Sequence, residues 1–169
     1  MSQLIFKFPF KTNYFEEDFY VSTNNFEAYK LIESWPKWSC RFINIFGPSG
    51  CGKTHLANIF SKKINSFFIK ASDLNDNSLS EIKIKECLII DEYKNNVEEK
   101  LFYSILNQSY LSNQYIIINS LKPIQSFEVK LNDLKSRFGS FVNFGIDLPT
   151  DELIKVIISK NFSCLLYHI

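Results

Sequence analysis

The sequence predicts an α/β fold, a three-layer sandwich in which a five-stranded parallel sheet is covered by helices on both faces. Three observations carry this prediction. Strand-like and helix-like segments alternate along the chain. A glycine-rich loop, Gly47-Pro48-Ser49-Gly50-Cys51-Gly52-Lys53-Thr54, separates an apolar run from an amphipathic one. Farther on, the apolar run Cys87-Leu88-Ile89-Ile90 ends in the acidic pair Asp91-Glu92.

The elements follow in order. Residues 41–46 read as a buried first strand, and residues 54–64 as a helix with Leu56, Ile59, Phe60 and Ile64 on one face. Residues 66–70 give a second strand. The polar stretch 72–80 reads as a loop, and residues 87–91 as a third strand. Val97, Leu101, Ile105 and Leu106 mark a helix over residues 97–111. Residues 115–119 form a fourth strand, 131–137 a short helix and 141–146 a fifth strand. Thr150 is placed to cap a helix that opens with Asp151 and Glu152 and continues through Leu153, Ile154, Val156 and Ile157. With 169 residues and no dividing linker, this is one main domain, residues 15–149, with a tail at 1–14 and a short helical segment at 150–169.

The loop from Gly47 to Thr54 is a phosphate-binding pattern. Glycines let backbone N–H groups curl around phosphate oxygens without Cβ clashes, and the following helix N-terminus favours negative charge. Lys53 neutralises phosphate, and the Thr54 hydroxyl suits a Mg²⁺ ligand. Asp91, at the predicted tip of the third strand, is the second Mg²⁺ candidate, acting largely through water. Glu92 is placed to orient and deprotonate an attacking water. Asn119-Ser120 closes the fourth strand; Asn119 is a candidate for reaching the terminal phosphate, although such residues also simply end strands. His55 is counted with the nucleotide-binding candidates, yet its place one residue past Thr54 points it along the helix, where a packing or solvated role fits better. Cys51 is expected to be a neutral spacer whose backbone does the binding.

Composition narrows the field. A net charge of +1 leaves no basic footprint for DNA. No apolar run approaches the roughly 20 residues of a membrane span, and no signal-peptide pattern opens the chain. Cys40, Cys51, Cys87 and Cys164 lack paired or metal-ligand spacing, as expected of free thiols in a reducing cytoplasm.

These motifs, in this order, resemble the AAA+ branch of phosphate-loop ATPases that contains the bacterial replication initiator DnaA and its regulator Hda. The loop continues Gly-Lys-Thr-His55-Leu56, as is favoured there. Residues 18–28 are similar to the branch's leading segment, which packs on adenine and here includes Val21. Leu134-Lys135-Ser136-Arg137-Phe138-Gly139 is similar to the box carrying its arginine finger, and Ile146-Asp147-Leu148-Pro149 to the approach to its lid. Residues 15–19 and 34–38 are particularly similar to the alphaproteobacterial Hda-type form. The resemblance implies binding of ATP or ADP with Mg²⁺, a DnaA-type initiator as partner, and Arg137 offered to that partner's nucleotide.

At the N-terminus, Gln3, Leu4, Phe6 and Phe8 look like the tail by which Hda-type proteins dock on the replicative sliding clamp; on pattern alone an ordinary N-terminal strand serves equally well. Two departures stand out. Leu121 occupies a place where the family often has an acidic residue. The lid should begin near Pro149, yet the sequence stops after about one helix, as expected of a truncated or frame-shifted product or of a lost lid, and its apolar end should be sticky. Two other classes remain open: an independent phosphate-loop enzyme such as a small-molecule kinase, and a non-hydrolysing interaction module that nucleotide stabilises.

Overall fold

The computed structural model describes residues 14–166, with side chains described through residue 159. Its centre is a five-stranded, all-parallel sheet formed by β1 (Phe42–Phe46), β2 (Ser66–Lys70), β3 (Cys87–Tyr93), β4 (Tyr115–Ser120) and β5 (Val142–Gly145). The spatial order is β2-β3-β4-β1-β5. Among the described residues, six α-helices accompany it: α1 (Phe26–Glu33), α2 (Lys53–Ser61), α3 (Ser78–Ile82), α4 (Glu99–Leu111), α5 (Asn132–Phe138) and α6 (Asp151–Leu166).

The two-residue period of the strands builds two cores. Cys87, Ile89 and Ile117 join Ile43 and Ile45 on one face, where Ala28 and Ile32 of α1 and Leu56, Ala57 and Phe60 of α2 cover them. Leu88, Ile90, Ile116 and Ile118 point to the other face, against Phe102, Ile105 and Leu106 of α4 and Leu134 and Phe138 of α5. Strands buried on both sides carry continuous apolar runs, which is why β3 and β4 were readable from sequence. The predicted α/β sandwich and its five parallel strands are therefore present.

The structure corrects the sequence reading in three places. First, residues 72–80 do not form an open loop. A 3-10 turn (Ala71–Asp73) leads to α3, and Leu74, Ser78 and Ile82 are buried. The polar residues satisfy one another locally: the Asn75 Oδ1 accepts from the Asn77 N–H at 2.9 Å, and the Ser78 Oγ accepts from the Asn75 N–H at 3.2 Å. Second, α1 was not anticipated as a helix; its apolar positions fall within a segment read by its motif instead. Third, β3 runs on through Asp91 and Glu92 to Tyr93, with an irregular register against β4 between Ile90 and Tyr93. The acidic pair thus lies in a bulge, where Glu92 takes a left-handed φ of 57°.

Candidate nucleotide-binding site

In a parallel sheet the strand order reverses at one point, and ligands gather beyond the C-terminal ends there. Here β1 departs toward α2 while its neighbours are β4 and β5, so the ends of β3, β4 and β1 lie side by side. The glycine loop links β1 to α2. Gly50 and Gly52 have φ of 83° and 100°, and Gly52 caps α2. A Cβ on Gly47 would lie 2.0 Å from the Ile146 carbonyl oxygen, so only glycine allows the loop to close against the end of β5.

The polar groups beyond these strand ends form a chain. The Thr54 hydroxyl donates to Asp91 Oδ2 at 2.8 Å, and the Asn119 amide donates to Asp91 Oδ1 at 2.8 Å. Asp91 and Asn119 are both buried, and Asn119 Oδ1 has no partner among the described residues. The Lys53 ammonium is bound by the carbonyls of Gly47 (2.8 Å) and Pro48 (2.7 Å). Its other neighbour is Cys51 Sγ at 3.5 Å; Cys51 is itself buried against the α1–α2 face. A cleft of about 370 Å³ brings together Ser49, Gly50, Gly52, Lys53, Thr54, His55, Asp91, Glu92, Lys94 and Asn119.

Glu92 is in this cleft and is also ion-paired. Lys70, at the end of β2, donates to Glu92 Oε1 at 2.9 Å. That hydrogen bond, with the charges of Lys70 and Lys94, holds the Glu92 carboxyl below its usual range, against a smaller opposing effect of burial. Neither Lys70 nor Lys94 was singled out in the sequence. Both are surface lysines without a motif; Lys94 is near Glu92 by chain position, and the pairing of β2 with β3 brings Lys70.

A second cavity, of about 200 Å³, adjoins the first through Gly50, Gly52 and His55. Its wall is made by the segment from Asp18 to Asn25 and by Leu153 and Ile157 of α6. Phe19 lies against Gly52 and stacks on Tyr29 at 5.8 Å. Val21 is 43% exposed, and it is the neighbouring Tyr20 and Ser22 that line the cavity. His55 stands where the two cavities meet. Its Nε2 lies 2.7 Å from the Phe15 carbonyl, which can only accept, so that nitrogen carries the proton. The Phe19 ring meets His55 edge-on. The packing alternative for His55 thus has a concrete form: it ties the leading segment to the start of α2.

Arg137 is not among these residues. Its Nη2 donates to Asn107 Oδ1 at 2.6 Å, and its guanidinium lies 4.1 Å from the Tyr110 ring centre. Both partners are on α4. Gln3, Leu4, Phe6 and Phe8 lie outside the described residues. Within the described residues, no helix is long and apolar enough to cross a membrane, and no cluster of His, Cys, Asp and Glu is built to hold a metal by itself.

Comparison with known proteins agrees with this architecture. A profile of the family described as RNA helicase matches residues 43–122, from β1 and the glycine loop through β3 to just past β4. The chromosomal replication initiator protein DnaA of Spiroplasma citri is 27% identical over 88% of this chain. Among solved structures, AMPPCP-bound DnaA from Aquifex aeolicus superposes with a TM-score of 0.68 at 24% identity, covering 87% of this chain and 54% of that one. Replication initiator DnaA bound to AMPPCP and single-stranded DNA gives 0.65 at 26% identity, covering 80% and 50%. The chain spans 39% of the length of the Spiroplasma citri protein. Its fold is that of a phosphate-loop NTPase, matching the AAA+ domain structures of DnaA, and its sequence is similar to the DnaA-like branch of that fold.

Proposed function

We propose that this chain binds ATP or ADP with Mg²⁺ and acts as a regulator of chromosomal replication initiation, of the Hda type. One observation carries the nucleotide part. Thr54, Asp91 and Asn119 form a hydrogen-bonded chain in the same cleft as Gly50 and Gly52 of the glycine loop. The residues fit the ligand. Asn119 Oδ1 is buried without a partner among the described residues, and Gly50 and Gly52, at left-handed φ, line the cleft with backbone alone. AMPPCP, an ATP analogue, is what the two similar DnaA structures contain, which supports the choice of nucleotide.

In this reading the loop from Gly47 to Thr54, including Pro48, Ser49 and Cys51, wraps the phosphates, and Lys53 opposes their charge. Thr54 and Asp91 would hold Mg²⁺, whose charge, when it is bound, neutralises the phosphate oxygens. The Glu92 carboxylate takes the proton of the attacking water, and Asn119 orients toward the terminal phosphate. The segment around Val21 and the side of His55 cover the base. The chain works as a partner protein: Gln3, Leu4, Phe6 and Phe8 dock on the sliding clamp, and Arg137 is supplied to the nucleotide of a DnaA-type initiator, promoting its hydrolysis.

A second reading, a nucleotide-stabilised module without turnover of its own, is favoured by the ion pair between Glu92 and Lys70. Partner assays separate the regulator from an isolated ATPase. The double substitution Gln3→Ala, Leu4→Ala should weaken capture by the sliding clamp about thirty-fold or more, because short peptides anchor through few residues. Nucleotide affinity should stay unchanged. An intact chain that ignores the clamp, or a tail variant that binds it equally well, would remove the regulator reading.

A further inference from the structure

The chain has only two arginines, Arg41 and Arg137, and both converge on one ring. The Arg137 guanidinium carbon lies 4.1 Å from the centre of Tyr110, and that of Arg41 lies 6.0 Å from it. We infer that Arg41, Tyr110 and Arg137 form a paired-guanidinium site that takes the phosphate oxyanions of a nucleoside triphosphate held by a partner protein. The inference rests on the reading that Arg137 acts on another molecule, and it adds a second arm and a platform to it.

Several features make this a built site. Tyr110 lies in the last turn of α4, where the partial negative charge of the helix C-terminus attracts cations. Its ring is braced from below by Phe42 at 5.9 Å, and Phe42 in turn stacks on Phe141 at 5.4 Å. Each guanidinium is steered by a neutral amide and not by an acid: Arg137 by Asn107 at 2.6 Å, and Arg41 by Asn113. The three ion pairs among the described residues belong to Lys63 and Lys70, so neither arginine charge is cancelled. A guanidinium has five N–H donors in a planar fork, which leaves most of them available for oxyanions. Beside the ring, Tyr110 and Leu111 are 41% and 71% exposed, so the site opens outward.

The ligand must come from another molecule. Arg41 directly precedes β1, and Arg137 lies in the last turn of α5 ahead of β5, which is parallel to β1. Both therefore stand at the N-terminal end of the sheet, whereas the phosphate loop leaves the opposite end of β1. Five strand residues separate the two ends by roughly 16 Å. A triphosphate carries several charges on one short chain, enough to engage two guanidinium forks set around one ring. A nucleic-acid strand spreads single charges along its length and is usually met by a basic track, which a chain of net charge +1 does not provide.

The test measures ATP hydrolysis by the ATP-loaded DnaA-type initiator of the same organism, in the presence of its sliding clamp and this chain. ADP binding at the chain's own phosphate loop, measured in parallel, reports that each variant is folded. Arg137→Ala should lower the stimulated rate about a thousandfold, the low end for a finger acting in trans. Arg41→Lys should lower it about tenfold, since an ammonium lacks the planar fork. Tyr110→Leu should lower it to a similar degree, whereas Tyr110→Phe, which keeps the ring face, should restore it. If Arg137→Ala abolishes stimulation but Arg41→Lys and Tyr110→Leu match the parent, the paired site is overturned and the single finger stands. If Arg137→Ala matches the parent, or the parent gives no stimulation, both fall. Loss of binding to a labelled single-stranded oligonucleotide in Arg41→Lys, with stimulation intact, would assign the pair to nucleic acid and also overturn the inference.

Discussion

Glu92 shows how one residue can carry both a catalytic proposal and its restraint. The bulge that lifts Asp91 and Glu92 off the β4 ladder puts Glu92 at φ 57°, a conformation that costs a β-carbon residue about 1–2 kcal/mol. The same turn delivers its carboxylate to both the cleft and Lys70. Exposed ion pairs of this kind are worth about 1 kcal/mol or less, so a bound ligand can displace Lys70 at little cost. Glu92→Gln should keep nucleotide affinity and lower hydrolysis about a hundredfold, because it retains the shape and removes the proton acceptor. Single-turnover rates measured with the clamp and initiator present check this; an unchanged rate takes Glu92 out of the mechanism. That Ser49, Gly50, Gly52, Lys53, Thr54, Asp91, Glu92 and Asn119 would meet in one cleft was legible in the sequence, because the phosphate-loop pattern carries its own types and spacing. Lys70 was not, because only the pairing of β2 with β3 sets it beside Glu92; within the 18–28 segment the sequence singled out Val21, whereas Tyr20 and Ser22 line the cavity.

At the scale of elements, legibility followed burial. β3 and β4 bury both faces and announce themselves as runs of Ile and Leu, whereas α3 is a five-residue helix whose cap residues look like loop chemistry. The helix over 97–111 shows a finer error. Val97 lies outside α4, which begins at Glu99, and Phe102 is its most deeply buried aromatic. Glu99 has a further role that no sequence pattern reveals. Its carboxylate accepts from the backbone N–H of Lys130 at 2.9 and 3.0 Å and of Leu131 at 2.7 Å, tying the start of α4 to the residue that caps α5. These two backbone bonds hold its carboxyl below the ordinary value of 4.5. A lowered folded-state value means the stabilisation is complete above pH 4.5 and is lost as pH falls through the lower, folded value. Thermal melts should therefore show Glu99→Gln less stable than the parent at pH 7, with the gap closing on acidification below pH 4.5. A gap that stays constant with pH would mean the carboxylate contributes only as a neutral acceptor.

At the scale of the whole molecule, the two ends of the sheet have different chemistry. The C-terminal end of the strands gathers the glycine loop, the hydrogen-bonded Thr54–Asp91 pair and the buried Asn119. The N-terminal end carries both arginines around Tyr110. In the proposed reading, the arginines at one end serve the nucleotide of another protein, in a head-to-tail encounter. The chain spans 39% of the length of its Spiroplasma citri DnaA relative, and the partner itself belongs to the proposed function. The proposed function depends first on nucleotide occupying the glycine loop. The direct measurement is calorimetric titration of ADP and ATP, with Mg²⁺, into the intact chain and into its Lys53→Ala variant. The account predicts saturable binding of one nucleotide per chain and, in the variant, a loss of about tenfold or more from removing one charged phosphate contact, with the melting temperature in the absence of nucleotide unchanged. Equal affinity in the two proteins, or no binding to the parent, would contradict it.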